Sequence, residues 1–231
     1  MKRSPNFLLA CVLSFSVIAC GRGILPQQSS VNAEAPEAPK PVEKTLSSFT
    51  SIAGTDYLMA GIVPAEVGRD STLNPFEWIS NSGYSGYSPY LTYNYVFFNT
   101  RTADYHRLLP DNNSVIFQTA GFPQQVYDPN DPEKPAPVIE FWMFNIVKAD
   151  TNADGSFDYR DKITIGIADV SGDDYTELIA NVDAIQSQYY DTPSNFFIIY
   201  NVNDKNFIAK INPITRQILS TTEMDLGEDV K

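Results

Sequence analysis

Short apolar and aromatic runs recur along most of the chain, separated by clusters of Asn, Asp, Gly and Pro. Runs of this kind, rich in β-branched and aromatic residues and bounded by turn formers, predict β-strands. In one of them Ile163, Ile165 and Ile167 alternate with Thr, Gly and Ala, the period-two pattern of a half-buried strand. A helix is an alternative over residues 173–184, where a strand after a turn fits better. The predicted strands are residues 57–63, 93–98, 115–118, 138–147, 163–168, 196–202 and 207–211.

The apolar run nearest the N-terminus has a different meaning. It covers residues 7–18, carries no charge and follows Lys2 and Arg3. It is too short for a bilayer core, which needs about 20 residues, and its basic start is typical of a secretory signal. The segment behind it is polar and rich in Pro, with almost nothing to bury, which predicts a disordered tether. The predicted organisation is a signal segment (1–19), a tether (20–45), a β domain (46–222) and an acidic tail (223–231).

The end of the signal segment, VIAC, resembles the lipobox of bacterial lipoproteins. The resemblance implies that residues 1–19 are removed, that Cys20 carries lipid and that the protein is anchored in the cell envelope. By resemblance to the sorting rule of enteric lipoproteins, Gly21 after the cysteine favours the outer membrane if the host has one. An ordinary secretory signal with a chance cysteine is the alternative. Because Cys11 leaves with the signal, Cys20 is alone in the mature chain and no internal disulfide can form.

The charge balance limits the classes of partner. The whole chain has a formal net charge of −12, from 16 basic and 28 acidic residues. Loss of residues 1–19 removes two basic residues and no acidic ones, which brings the net charge to −14. Such a surface repels nucleic acid and anionic lipid. We therefore expect no nucleic-acid partner. The lipobox resemblance implies membrane attachment through the lipid on Cys20, and we expect an unidentified partner in the envelope or outside the cell.

A weak internal repeat is present in the predicted β domain. Residues 95–109, 165–179 and 207–219 share the order strand, polar turn, strand, and the last two start 42 residues apart, close to the length of one propeller blade. The second copy, which contains IGIADVSGDDYTEL, resembles a hairpin of TolB-type β-propellers, and the others resemble degenerate copies. The resemblance implies an all-β fold, a small or incomplete TolB-like propeller, that serves as an interaction platform. A β-sandwich is the alternative.

Residues 150–161, DTNADGSFDYRD, carry a candidate metal site. Side-chain oxygens at positions 1, 3 and 5 converge on one cation only if the chain then turns sharply, and a glycine at position 6 permits that turn. Four aspartates brought together there would repel one another without a cation. The loop resembles the calcium loops of EF-hands and dockerins, although position 12 is Asp and the flanks are predicted strands. The resemblance implies a Ca²⁺ ligand set of Asp150, Asn152, Asp154, Ser156, Asp158 and Asp161.

We expect this ion to be structural and weakly bound, with a dissociation constant on the order of 10⁻⁴–10⁻³ M, as in extracellular modules. Mg²⁺ fits less well, because it loses its hydration shell reluctantly. The alternative is a solvated turn, since Asp, Asn and Gly favour turns in any case.

No catalytic constellation is recognisable in the sequence. His106 is the only histidine and no nucleophile-elbow motif is present. Asp169, Asp173 and Asp174 are expected to form a solvated hairpin turn, with a second metal site as the alternative. The tyrosines of residues 84–95, after Trp78, are expected to pack on the core, with a sugar- or partner-binding surface as the alternative. The predicted function is a non-enzymatic binding module. A carbohydrate-active hydrolase with a calcium-stabilised scaffold and a purely structural envelope lipoprotein are the alternatives.

Overall fold

A computed structural model describes residues 42–65, 87–124 and 137–227. The signal segment, Cys20, Trp78 and Tyr84 lie outside the described residues. Within the described ranges no helix has both the length and the apolar character to cross a membrane. The strands of these ranges are β1 (Lys44–Leu46), β2 (Thr50–Ser51), β3 (Tyr57–Pro64), β4 (Tyr87–Thr92), β5 (Asn94–Asn99), β6 (Tyr105–Arg107), β7 (Val115–Phe122), β8 (Phe141–Val147), β9 (Ile163–Asp169), β10 (Thr176–Val182), β11 (Ala184–Thr192), β12 (Asn195–Val202), β13 (Lys205–Asn212) and β14 (Gln217–Met224).

These strands form three antiparallel sheets. The first sheet has the order β1-β3-β5-β6 with β2 on β3, the second β10-β9-β8-β7-β4, and the third β11-β12-β13-β14. Each hairpin of the sequence repeat supplies two neighbouring strands at one edge of a sheet: β5–β6, β9–β10 and β13–β14. The weak repeat therefore corresponds to a structural one, and the strand interpretation of residues 173–184 is confirmed by β10.

The second sheet lies between two hydrophobic cores. Every residue of β8 is buried, and successive side chains point to opposite faces of the sheet. Phe141 and Met143 pack into the core shared with the third sheet, whereas Trp142 and Phe144 pack into the core shared with the first. A strand buried on both faces shows no apolar–polar alternation, which is why the sequence of β8 is apolar at every position except Asn145.

The expectation of an all-β fold is confirmed. Two cores on opposite faces of a central sheet distinguish the arrangement from a β-sandwich, in which two sheets enclose a single core. The smallest typical closed propellers have about four four-stranded blades. The three sheets described here are therefore an incomplete propeller.

The strands extend past both predicted limits of the β domain, residues 46–222. β1 begins at Lys44, because Lys44 already pairs with Pro64 of β3. β14 continues to Met224, which pairs with Asn206 of β13. Pairing with a buried neighbour thus orders polar residues that have no apolar pattern of their own.

The chain passes from the second sheet to the third through a single residue, Asp183, between β10 and β11. Its backbone N–H donates to the carbonyl of Asn201, and its carboxylate accepts a hydrogen bond from the N–H of Asn203 at 2.7 Å. Lys162, just before β9, forms an ion pair with the same carboxylate. The contact with Lys162 lowers the pKa of Asp183 most; burial opposes it, and the Asn203 bond adds to the lowering, so that the pKa lies below its usual range.

Candidate functional site

The candidate metal loop, residues 150–161, connects β8 to β9, which are antiparallel neighbours in the central sheet. Val147 and Ile163 face each other at the end of the strand pair from which the loop emerges. Phe157 packs against the core between the second and third sheets, so the loop is attached to the domain by an apolar contact. The predicted strand–loop–strand context is confirmed.

A ladder of side-chain-to-backbone hydrogen bonds shapes the first half of the loop. Asp150 accepts from the N–H groups of Asp154 at 3.2 Å and Gly155 at 2.8 Å. Asn152 accepts from Asp154 at 2.9 Å, and Asp154 accepts from Ser156 at 2.9 Å. Gly155 has a φ of +84°, the left-handed conformation that the sharp turn requires. Each of these side-chain groups uses only part of its lone-pair capacity to accept hydrogen bonds from the backbone.

Asp161, expected as the ligand at position 12, organises the loop from within. It is 1% exposed. One carboxylate oxygen accepts from the N–H of Thr151 at 2.6 Å, the Thr151 hydroxyl at 3.1 Å and the N–H of Asn152 at 3.2 Å. The other accepts from the N–H of Asp158 at 3.0 Å. Asp161 therefore joins the two ends of the loop through three donors on Oδ1 and one on Oδ2, and Oδ2 keeps part of its lone-pair capacity.

Arg160, at position 11, contributes a positive charge to the loop. Its Nη2 lies 2.7 Å from Oδ2 of Asp154 and 2.5 Å from Oδ2 of Asp158. Its Nε and its backbone N–H also donate to Asp158, at 3.0–3.1 Å and 2.8 Å. These contacts lower the pKa of the Asp158 carboxyl and raise that of the guanidinium. Sequence reasoning missed this role, although a basic residue two positions after an aspartate inside an acidic loop was a visible signal.

The carboxylates of the loop thus have partners other than a metal ion. In the part of the chain that the structure describes, no three acidic, histidine or cysteine side chains are grouped as a metal site. Asp154 and Asp158 are held by Arg160, and Asp161 by backbone amides. The backbone bends as the calcium-loop pattern requires, and Asp150, Asn152 and the Ser156 carbonyl supply oxygens of the type that Ca²⁺ prefers. The donor chemistry fits calcium, but Asp154 and Asp158 would have to leave Arg160 to bind it.

The turn between β9 and β10 contacts both neighbouring sheets. His106 of β6 lies with Nε2 3.3 Å from Oδ1 of Asp173, and Arg216, beyond β13, pairs with Asp174 at 2.7 Å. Within the turn the Ser171 hydroxyl lies 2.6 Å from Asp169 and 2.8 Å from Asp173. The turn was expected to be solvated, and its aspartates are indeed largely accessible, yet it also links the three sheets.

Serine, histidine and aspartate side chains come together at this turn, but their spatial arrangement is not the one that nucleophilic catalysis uses. A catalytic histidine accepts the proton of the serine hydroxyl directly. Here the carboxylate of Asp173 lies between Ser171 and His106, contacting both. The ring of His106 is stacked on Phe97 at a centroid distance of 5.6 Å, which gives the histidine a packing role.

The tyrosine-rich stretch is partly described. The side chains of Tyr93 and Tyr95 are buried, as the packing interpretation expects. Lys44 lies 4.2 Å above the ring of Tyr93, and the Tyr95 hydroxyl accepts a hydrogen bond from Thr119 at 3.1 Å. Burial raises the pKa of Tyr95, and the Thr119 bond opposes this.

A surface cavity of about 320 Å³ lies where the turn after β6 meets β8 and β10. Two carboxylates line it, Asp111 and Glu177, but Glu177 is paired with Lys148 at 2.6 Å. Tyr175 adds a buried hydroxyl with no hydrogen-bond partner among the described residues. Its pKa is raised, mainly by burial and to a smaller extent by the negative charge of Glu177. The lining therefore does not supply two free carboxylates of the kind that glycoside hydrolysis uses.

Comparison with solved structures finds the β-propeller domain of the trilobed protease from Pyrococcus furiosus, which has an open velcro topology. The identity is 11% and the TM-score 0.35, and the match covers 79% of this chain and 43% of that one. The chain thus spans less than half of the length of that structure. No family model matches the chain, and no curated protein matches it. The fold assignment rests on the strand order and the two cores.

Proposed function

We propose that this protein is a non-enzymatic binding module, exported and anchored by lipid on Cys20, whose β domain is reinforced by a calcium ion in residues 150–161. The observation that carries the calcium part is the hydrogen-bond ladder in which Asp150, Asn152 and Asp154 fold the chain around Gly155. The lipid anchor is supported by the VIAC motif and the basic, apolar segment before it.

The proposed ligands are the side chains of Asp150, Asn152, Asp154 and Asp158 and the carbonyl of Ser156. Asp161 then has a supporting role, since its oxygens hold the amides at both ends of the loop. When bound, the ion would supply the positive charge that attracts these oxygens to one point. Because the loop joins β8 and β9, order in the loop limits the separation of two strands at the centre of the domain.

Thermal unfolding of the purified protein in 10 mM calcium and in chelator tests the calcium role. For a dissociation constant of about 0.1–1 mM, 10 mM calcium adds about 1.4–2.7 kcal/mol. In a domain of this size that raises the melting temperature by roughly 3–10 °C. The Asp154→Ala variant should lose the increase, whereas Asp104→Ala, an exposed carboxylate in the β5–β6 turn, should keep it. An equal melting temperature in calcium and chelator for the unsubstituted protein would remove calcium from the proposal.

Membrane attachment has its own test. The intact chain is expected to fractionate with membranes and to incorporate labelled fatty acid, whereas a Cys20→Ser variant should do neither. A variant that remained membrane-bound and unlabelled would show that another feature anchors the protein.

The binding role is supported by the third sheet. β14 is exposed along nearly its whole length, and Tyr189 of β11 and Leu219 of β14 are 61% and 51% exposed. An edge strand in this state offers backbone groups and apolar side chains to another protein. Crosslinking from a photoreactive residue at position 219, in the native envelope, should give a discrete adduct that is absent when the residue is placed at Asp104. Equal labelling from both positions would argue against a specific surface.

A further inference from the structure

We propose that Arg160 is an internal counter-ion, which keeps residues 150–161 folded without metal and which calcium must displace in order to bind. The inference rests on the calcium role proposed above and names the residue that sets the affinity of that site.

One guanidinium nitrogen is shared by two of the proposed ligands. Nη2 of Arg160 is 2.7 Å from Asp154 and 2.5 Å from Asp158, which are positions 5 and 9 of the loop. The contact with Asp158 is a charge-assisted hydrogen bond, among the stronger polar contacts in proteins, and the contact with Asp154 is an ion pair. The guanidinium therefore takes carboxylate oxygens that a calcium ion would need.

The ion and the guanidinium cannot share these oxygens at full strength. Both are cations, and within a few ångströms of each other they repel. The loop contains four aspartates and one arginine, so its formal charge is −3 with Arg160 and −4 without it. Removal of the arginine thus strengthens the attraction for a divalent cation and frees both carboxylates.

The exchange is sterically open. The Arg160 side chain is 53% exposed, compared with 29% for Asp154 and 27% for Asp158. The guanidinium can leave into solvent, while the aspartates remain tied to the backbone through Ser156 and Arg160 N–H groups. Calcium binding would then exchange one cation for another in a loop whose backbone is already bent.

The closing experiment measures calcium affinity by titration calorimetry on the purified intact protein and on Arg160→Gln, Arg160→Lys and Arg101→Gln. Arg101 also pairs with an aspartate, Asp56, at 2.6 Å, but lies in the β5–β6 turn and serves as the matched control. If the arginine-free loop is about a tenth of the population, Arg160→Gln binds calcium about tenfold more tightly. Arg160→Lys, which lacks the planar fork, falls between, and Arg101→Gln does not change.

A second readout separates this role from a general loss of structure. Without calcium, Arg160→Gln should be cleaved faster within residues 150–161 by a protease, and calcium should restore the resistance. Equal or weaker calcium affinity in Arg160→Gln and Arg160→Lys overturns the competition while leaving calcium binding intact. Absence of binding in every variant, each folded by circular dichroism, overturns the proposed calcium role itself.

Discussion

Replacement of Gly172 by alanine tests how the central sheet docks on the first sheet. Gly172 lies in the β9–β10 turn with a φ of +85°. A Cβ added there would lie 2.3 Å from two ring atoms of Phe97, a fully buried residue of β5. His106 stacks on the same ring, with planes 10° apart, so the ring has little room to move away. The methyl group can be accommodated only if the turn withdraws from the first sheet.

The magnitude follows from two separable costs. A non-glycine residue in the left-handed region costs about 1 kcal/mol. Overpacking of a well-filled core costs typically about 1–3 kcal/mol more. Gly172→Ala is therefore expected to lower the free energy of unfolding by about 2–4 kcal/mol, a large part of the roughly 5–15 kcal/mol of a typical domain.

Gly155→Ala provides the matched control, because its φ is +84° and no atom lies within 4 Å of the added Cβ. Gly155→Ala should lower the free energy of unfolding by only about 1 kcal/mol, the cost of a non-glycine residue in the left-handed conformation. Urea unfolding in chelator, followed by far-ultraviolet circular dichroism, measures both variants without any contribution from calcium. Equal losses in the two variants would refute the reasoning, since the contact between the turn and Phe97 would then contribute nothing.

Two further predictions concern Asp161. The Asp161→Asn variant should lower the free energy of unfolding by about 2–3 kcal/mol, because the new amide NH₂ group is a donor that faces the N–H donor of Thr151 or Asp158. Urea unfolding, with Asp104→Asn as the control, measures this loss. Burial raises the pKa of the Asp161 carboxyl, but hydrogen bonds from the Asp158, Thr151 and Asn152 amides outweigh it and leave the pKa below its usual range. Its contribution is therefore complete above about pH 4 and is lost as the pH falls through the lowered pKa, so the stability gap to Asp161→Asn should narrow as the pH falls below about 4.

The strands that carry their own hydrophobic signal were predictable. β9 alternates in sequence and β8 is apolar except for Asn145, and both start or end within three residues of the predicted positions. The expectation that β9 is half-buried was wrong, because its small residues Thr164, Gly166 and Ala168 are buried as well. β11 was missed because most of its residues are exposed, so that neither face leaves an apolar pattern. It is a strand because β12, which is buried on one face, pairs with it along its length.

The backbone of the candidate site was also predictable, whereas the partners of its carboxylates were not. The spacing of the loop residues identified the turn at Gly155, and the apolar runs identified the strands on either side. Whether a given aspartate faces an ion, an amide or a guanidinium depends on distances that spacing does not determine. Asp161 appears in the sequence as one more ligand, and the four donors around it make it a hydrogen-bond centre.

This difference changes the physical case for calcium. Repulsion among four aspartates was the reason to expect an ion, but Arg160 already neutralises part of that charge and backbone amides solvate Asp161. The free energy left for calcium is then the difference between its ligation and the contacts it displaces. Such a difference is small, which accounts for a weak site in a loop that is folded before the ion arrives. Calcium would strengthen an existing structure, so that the domain should stay folded in chelator and melt only a few degrees earlier.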